Sequence, residues 1–126
     1  LNLWRLMTPK EWSEFHPKRG ASALGHGGDP MTSVYLHLYP ELVRTDLIGE
    51  AKRKEVLGLP TAGLNAVKFK GSDVNIALDI DEICDNGIAG GFPAESSAEI
   101  GEKIVNFIVD YCAEFVAYFK TVDTSV

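Results

Sequence analysis

Gly25-His26-Gly27-Gly28-Asp29-Pro30-Met31-Thr32-Ser33 runs straight into Val34-Tyr35-Leu36-His37-Leu38-Tyr39-Pro40-Glu41-Leu42-Val43, so a glycine-rich loop is delivered onto an apolar segment. Asp29 is a helix-capping residue type, Pro30 suits a first turn, and Val34, Leu38 and Leu42 recur at helical spacing. The stretch predicts a helix that starts at Asp29, is broken or restarted at Pro40, and continues for a turn or two from Leu42 to Leu47.

Working upstream, Thr8-Pro9-Lys10-Glu11 has capping-box spacing with proline at the first helical position. It predicts a short helix to about Phe15, ending before His16-Pro17, with a loop from Lys18 to Gly28. Downstream, Gly49 to Pro60 reads as polar and irregular. From Val67 the period changes. Val67 and Phe69 alternate with Lys68 and Lys70, and Val74, Ile76, Leu78 and Ile80 alternate with polar or small residues across a Gly71-Ser72-Asp73 turn, a strand or hairpin signal. Asp85-Asn86-Gly87 and Gly90-Gly91 mark turns leading to an extended Phe92 to Glu95. Ser96 with Glu99 repeats the capping box. Ile100, Ile104, Ile108, Cys112, Phe115 and Phe119 then share one face of a helix reaching about Lys120, widened by Val105, Val109 and Val116. Such a face should pack on a sheet or another subunit, and Thr121 to Val126 reads as a frayed tail.

The 126 residues, 45% hydrophobic, suffice for one compact domain with a core. The net charge of -6, from eighteen acidic and twelve basic residues, argues against capture of nucleic acid. No apolar run approaches the roughly 20 residues that span a bilayer, and the first ten residues lack a signal-peptide pattern, so a cytoplasmic location is expected. Cys84 and Cys112 stand far apart and are expected as free thiols. A start at Leu1, with Trp4, Leu6 and Met7 close behind, reads as internal to a longer fold.

The Gly25 to Ser33 run is the richest site candidate. Glycines let a ligand approach the backbone, and a helix start offers unpaired N–H groups that stabilise an anion or a developing oxyanion. His26 could move protons near neutral pH. On residue types alone a plainer reading is favoured, in which the glycines only turn the loop, Asp29 only caps the helix, and His26 is solvated. His16 reads as a solvated helix end, and His37 as a packed or surface histidine. Asp79, Asp81, Glu82 and Asp85 form an acidic cluster without the residue order of a calcium loop, which favours a solvated turn. Trp4 and Trp12 read as packing anchors.

The run from Gly25 to Val43 resembles the segment of creatininase-family enzymes written H-[AG]-G-E-x-E-T-S, followed by a helix and P-E-L-V. Asn86-Gly87-Ile88-Ala89-Gly90, then Pro93-Ala94, Ser97-Ala98, Glu99 and Gly101, is similar to that family's N-G-x-x-G-[DN]-P-x-x-A-S-x-E-x-G stretch before its final helix. Three positions depart: Gly25 where an acidic residue often stands, Asp29 for the first motif Glu, and Met31 for the Glu before Thr-Ser. These departures argue against creatinine itself, and hydrolases of oxidised inositols are the nearer analogy.

The resemblance implies an α/β layered fold with helices packed on a mainly parallel sheet, residues 1–126 forming a single creatininase-like domain incomplete at its N-terminus. It implies a metal-dependent hydrolase of a cyclic amide or related carbonyl compound, with metal-activated water as nucleophile. The cofactor would be a divalent zinc or manganese pair, with ligands mostly outside this chain, supplied by a missing N-terminal portion or a companion chain. His26 and Asp29 are the catalytic residues carried over, His26 moving protons or supporting the metal-bound water, Asp29 orienting the loop or the substrate. They are expected side by side at a concave surface. A homo-oligomer is also implied. The rival is a non-catalytic subunit in which the same helix start holds an anion.

Overall fold

The computed structural model describes residues 3–123, without the side chain of Trp4. The packing expected of Trp4, and the last three residues of the expected tail, lie outside the described residues. Helix α1 spans Pro9–Phe15 and is nucleated as expected: the Thr8 side chain accepts from Lys10 N, and the Thr8 N–H donates to Glu11 Oε2 at 2.8 Å. Helix α2 spans Met31–Leu38, with Pro30 rather than Asp29 as its N-cap, after a cis Asp29–Pro30 peptide. It stops before Pro40, where short 3-10 turns follow at Pro40–Leu42 and Thr45–Leu47.

Four strands follow as a meander: β1 Glu55–Val56, β2 Leu59–Ala62, β3 Ala66–Phe69 and β4 Ser72–Asn75, in the order β1-β2-β3-β4. Every pairing is antiparallel, so the expectation of a mainly parallel sheet is corrected for the described residues. Connection length gives the reason. Leu57-Gly58, Gly63-Leu64-Asn65 and Lys70-Gly71 are hairpin loops, whereas a parallel pair needs a crossover of a dozen or more residues. Leu57 and Gly58, and likewise Lys70 and Gly71, all have positive φ, as two-residue hairpin turns require. The segment from Gly49 to Pro60, expected to be irregular, thus contains β1 and the start of β2.

The strand alternation expected to run on to Ile80 is also corrected. Asp79 and Glu82 form a second capping box, and Ile80 opens helix α3, Ile80–Ile83. Phe92 to Glu95 is not extended either, since Pro93–Glu95 is a 3-10 turn. Helix α4 spans Ala98–Phe119, capped by Ser97 rather than Ser96, with Ser97 Oγ accepting from Ile100 N at 3.3 Å.

Two cores result. Met7, Trp12, Phe15, Val34 and Ile104 are buried together where α1, α2 and α4 meet, with Ile100, Val105, Phe107 and Ile108 packed against them. Ile83, Cys84 and Ala89 form a smaller one, flanked by Leu78 and Ile80. Gly101 lets α2 and α4 touch backbone to side: a Cβ there would stand 2.6 Å from the Ser33 carbonyl carbon and 2.8 Å from His37 Cβ. The expected apolar face of α4 is buried only in its first half. Ile104 is fully buried and Ile108 partly, while Phe115 and Phe119 are exposed. Both cysteines are free thiols.

Candidate functional site

The Gly25 to Ser33 loop is fixed from two sides. Gly25 lies directly on the backbone of Gly90 and Gly91, where no Cβ fits. Gly25 N donates to Asp29 O at 3.2 Å, Gly28 N to Gly25 O at 3.0 Å, and Ala89 N to His26 O at 3.0 Å. Arg53 ties the meander to the same place, its guanidinium donating to the carbonyls of Gly63, at 2.7 Å, and Ala89.

Beneath this loop Asp29 is buried, with 2% of its surface exposed, and its carboxylate gathers three elements. Oδ2 accepts from Nε2 of His16, the C-cap of α1. Oδ1 accepts from Ser96 Oγ at 2.7 Å, just before α4, and from Ser33 N at 3.1 Å in the first turn of α2. Ser33 extends the network, since its Oγ accepts from Ser97 N at 3.1 Å. A buried carboxylate is tolerable only when so satisfied, and an ion sharing its lone pairs among three donors becomes a rigid joint.

The helix start is therefore already occupied by the protein's own anion. Ser33 N is given to Asp29, Thr32 N to Gly28 O at 3.1 Å, and Thr32 Oγ1 to Gly27 O at 2.9 Å. The unpaired amides expected at this turn to receive an external anion are thus largely spent.

Asp29 is buried, whereas His26, three residues before it, is exposed, and no hydrogen bond joins their side chains. His16, read from sequence as solvated, is 4% exposed and is Asp29's partner. A signal was available, because Trp12 and Phe15, one turn and one residue before it, are apolar anchors that carry this helix end inward. His37 is half-buried against the α2–α4 contact. The acidic cluster is a solvated cap: Asp79 and Glu82 cap α3, Asp85 pairs with Lys54, and Lys54 Nζ also donates to Asp81 O at 2.7 Å. The Asp85 hydrogen bond raises the Lys54 pKa.

Beside the Gly25–Gly91 contact opens a cleft of about 800 Å³, lined by Arg19, residues 48–51 and residues 90–95. Arg19 lies 3.7 Å over the Phe92 ring and donates through Nε and Nη2 to Glu95 Oε1, at 3.0 and 2.6 Å. These hydrogen bonds lower the pKa of the Glu95 carboxyl and raise that of Arg19. Sequence reading singled out none of these three residues.

Among the described residues no group of three or more His, Cys, Asp or Glu side chains could hold a metal ion. Nor is any helix among them long and apolar enough to cross a membrane. The residues present do not fit a binuclear metal site.

The family model described as Creatininase, creatinine amidohydrolase, matches residues 2–116. That span takes in the loop, the clamp around Asp29 and most of α4, and the chain belongs to the creatininase family. At family level it is an amidohydrolase-type hydrolase, of a family that is generally metal-dependent and α/β in fold. No curated protein and no solved structure matches the chain.

Proposed function

We propose that this chain is part of a metal-dependent hydrolase acting on a cyclic amide or a related carbonyl compound, such as an oxidised inositol. In this reading His26 is the proton-transferring group and Asp29 the positioning residue that holds its loop. One observation carries it. Of the polar side chains from His26 to Ser33, Asp29, Thr32 and Ser33 are each bound into the frame, whereas the exposed His26 side chain makes no hydrogen bond to any described residue. An imidazole held only by its backbone on a rigid glycine loop is positioned and chemically unspent. The cleft beside the Gly25–Gly91 contact, whose lining does not include His26, has room for a small cyclic ligand, with Phe92 as an apolar wall and Arg19 and Glu95 as polar groups.

Because the described residues do not fit the family's metal, the ligands in this reading, zinc or manganese being the expected ions, come from a companion segment or chain. This chain's own contribution is to hold the loop, shape the cleft and present His26. The rival, a non-catalytic anion-binding subunit, gains from Gly25 and Met31 standing where the family pattern has carboxylates. It loses ground because Asp29 already occupies the start of α2.

The test is a hydrolysis screen over cyclic amides and keto-inositols, run on the chain alone and with a companion polypeptide carrying the family's metal ligands. Turnover is expected only in the pair, and His26→Gln should lower kcat by roughly 10²- to 10⁴-fold while thermal stability is unchanged. Undiminished kcat in His26→Gln would sink the assignment. Turnover or tight two-metal binding by the chain alone would show that its own residues suffice.

A further inference from the structure

Arg19 is held in the cleft from two sides and left open on a third. Its guanidinium lies 3.7 Å over the Phe92 ring, and Nε and Nη2 both donate to Glu95 Oε1, at 3.0 and 2.6 Å. A planar guanidinium fixed by a ring face and by one edge is pre-organised for a partner at its other edge. The ion pair is not the closed fork in which two N–H groups meet two oxygens, since a single carboxylate oxygen takes both. Among the described residues no hydrogen bond engages Nη1 of Arg19 or Oε2 of Glu95. The pair therefore offers the cleft unused donors beside an unused acceptor.

Charge decides what these groups can read. The hydrogen bonds between them favour the ionised form of each, so their charges offset one another. Glu50 also lines the cleft, which sets two carboxylates against one guanidinium, and the chain as a whole carries a net charge of -6. An anion entering here meets like charge, whereas a neutral ring meets a donor and an acceptor.

We infer that Arg19 and Glu95 together determine specificity in this cleft, selecting an uncharged ring that carries a carbonyl or hydroxyl oxygen next to an N–H or O–H donor and rejecting the carboxylated or phosphorylated counterpart. The ring oxygen accepts from Arg19 Nη1, and the neighbouring donor gives its hydrogen to Glu95 Oε2. The adjacent N–H and C=O of a lactam share this pattern with the vicinal hydroxyls of a keto-inositol. That such a ring is the substrate rests on the function proposed above; the binding preference is set by the cleft alone and is read without turnover.

The test is an NMR titration of the purified chain with two neutral rings, pyrrolidone and an inosose, and with two carboxylated ones, pyroglutamate and glucuronate. Both neutral rings should shift the amide signals of residues 48–51 and 90–92, and bind at least about tenfold more tightly than their carboxylated counterparts; the tighter of the two shows whether lactam or polyol is the natural source of the pattern. Arg19→Gln should weaken the neutral rings by about tenfold, as the loss of a hydrogen bond to a charged group implies. Glu95→Gln should reverse the preference, tightening pyroglutamate by about tenfold, because the guanidinium is then a free cation. Both side chains are more than a third exposed, so the variants should keep the parent's melting temperature. A parent chain that binds the carboxylated rings as tightly as the neutral ones overturns the inference, as does the absence of shifts in the cleft amides with either neutral ring. A folded Glu95→Gln chain with the parent's preference also overturns it. None of these outcomes touches the His26→Gln result, on which the proposed reaction stands or falls.

Discussion

Replacing Asp29 by alanine tests the frame beneath the loop. The carboxylate is buried and accepts from three donors on three elements, His16 Nε2, Ser96 Oγ and Ser33 N. Hydrogen bonds to a charged group contribute about 1.5–3 kcal/mol each, but in one network they do not add. Removing the shared acceptor also leaves its buried donors unsatisfied, at about 1–3 kcal/mol each. The expected loss for Asp29→Ala is therefore about 4 kcal/mol, a large part of the roughly 5–15 kcal/mol that holds a domain together. Asp29→Asn keeps an oxygen to accept from Ser33 N and Ser96 Oγ but sets an N–H donor where Oδ2 accepted from His16 Nε2, so a loss of about 2–3 kcal/mol is expected. Urea unfolding followed by tryptophan fluorescence suits the site, since Trp12 is 2% exposed and its ring lies 6.4 Å from that of His16. In a double-mutant cycle with His16→Ala, the coupling should be about 1–3 kcal/mol. If Asp29→Ala and Asp29→Asn both stay within about 0.5 kcal/mol of the parent, as ordinary surface substitutions do, the clamp is not what fixes the loop.

Two further outcomes follow from the packing and the charges. Gly101→Ala would drive a methyl group into the Ser33 carbonyl and His37, so thermal unfolding should show a loss of about 1–3 kcal/mol or more despite alanine's better helix propensity; an unchanged melting temperature would mean that α2 and α4 separate freely. Glu95 has a lowered pKa because Arg19 hydrogen-bonds its charged form. The stability it contributes is therefore full above the unfolded carboxylate range, about 4.3, and is lost as pH falls through the lower folded value. Arg19→Gln should lower the neutral plateau slightly, with the two curves converging once Glu95 is protonated, so that the acid limb is flatter; an identical acid limb in the variant would refute the pairing.

What the sequence made legible was local. The capping box at Thr8, the first half of the apolar stripe of α4 and the β3–β4 hairpin each rest on neighbours within a few residues, which pattern can read. The β1–β2 hairpin escaped because its turn places Leu57, a bulky branched residue, at positive φ, where asparagine or glycine is the usual signal. At Ile80 a strand-like alternation met a capping box formed by Asp79 and Glu82, and the cap, with two hydrogen-bonded donors, prevailed. The site was half legible. The loop and its helix stood out, but Asp29's partners lie 13 residues away at His16 and 67 residues away at Ser96, and no local pattern encodes that meeting.

The residues that carry the family resemblance are for the most part those that join its two segments. Ser33 accepts from Ser97 N, Gly101 admits the Ser33 backbone, and Asn86 Oδ1 accepts from Ile88 N to close its own turn. Each would be needed whatever reaction the frame served, because each answers a demand of close approach or of a buried polar group. This is why the family was readable from the sequence. A motif kept for fit announces the fold, and chemistry must be sought in the motif side chain that fit leaves unused. Asp29 fails that criterion, with both carboxylate oxygens committed to the frame, and His26 meets it. A substitution at Asp29 should accordingly lower stability and activity together, whereas one at His26 should separate them.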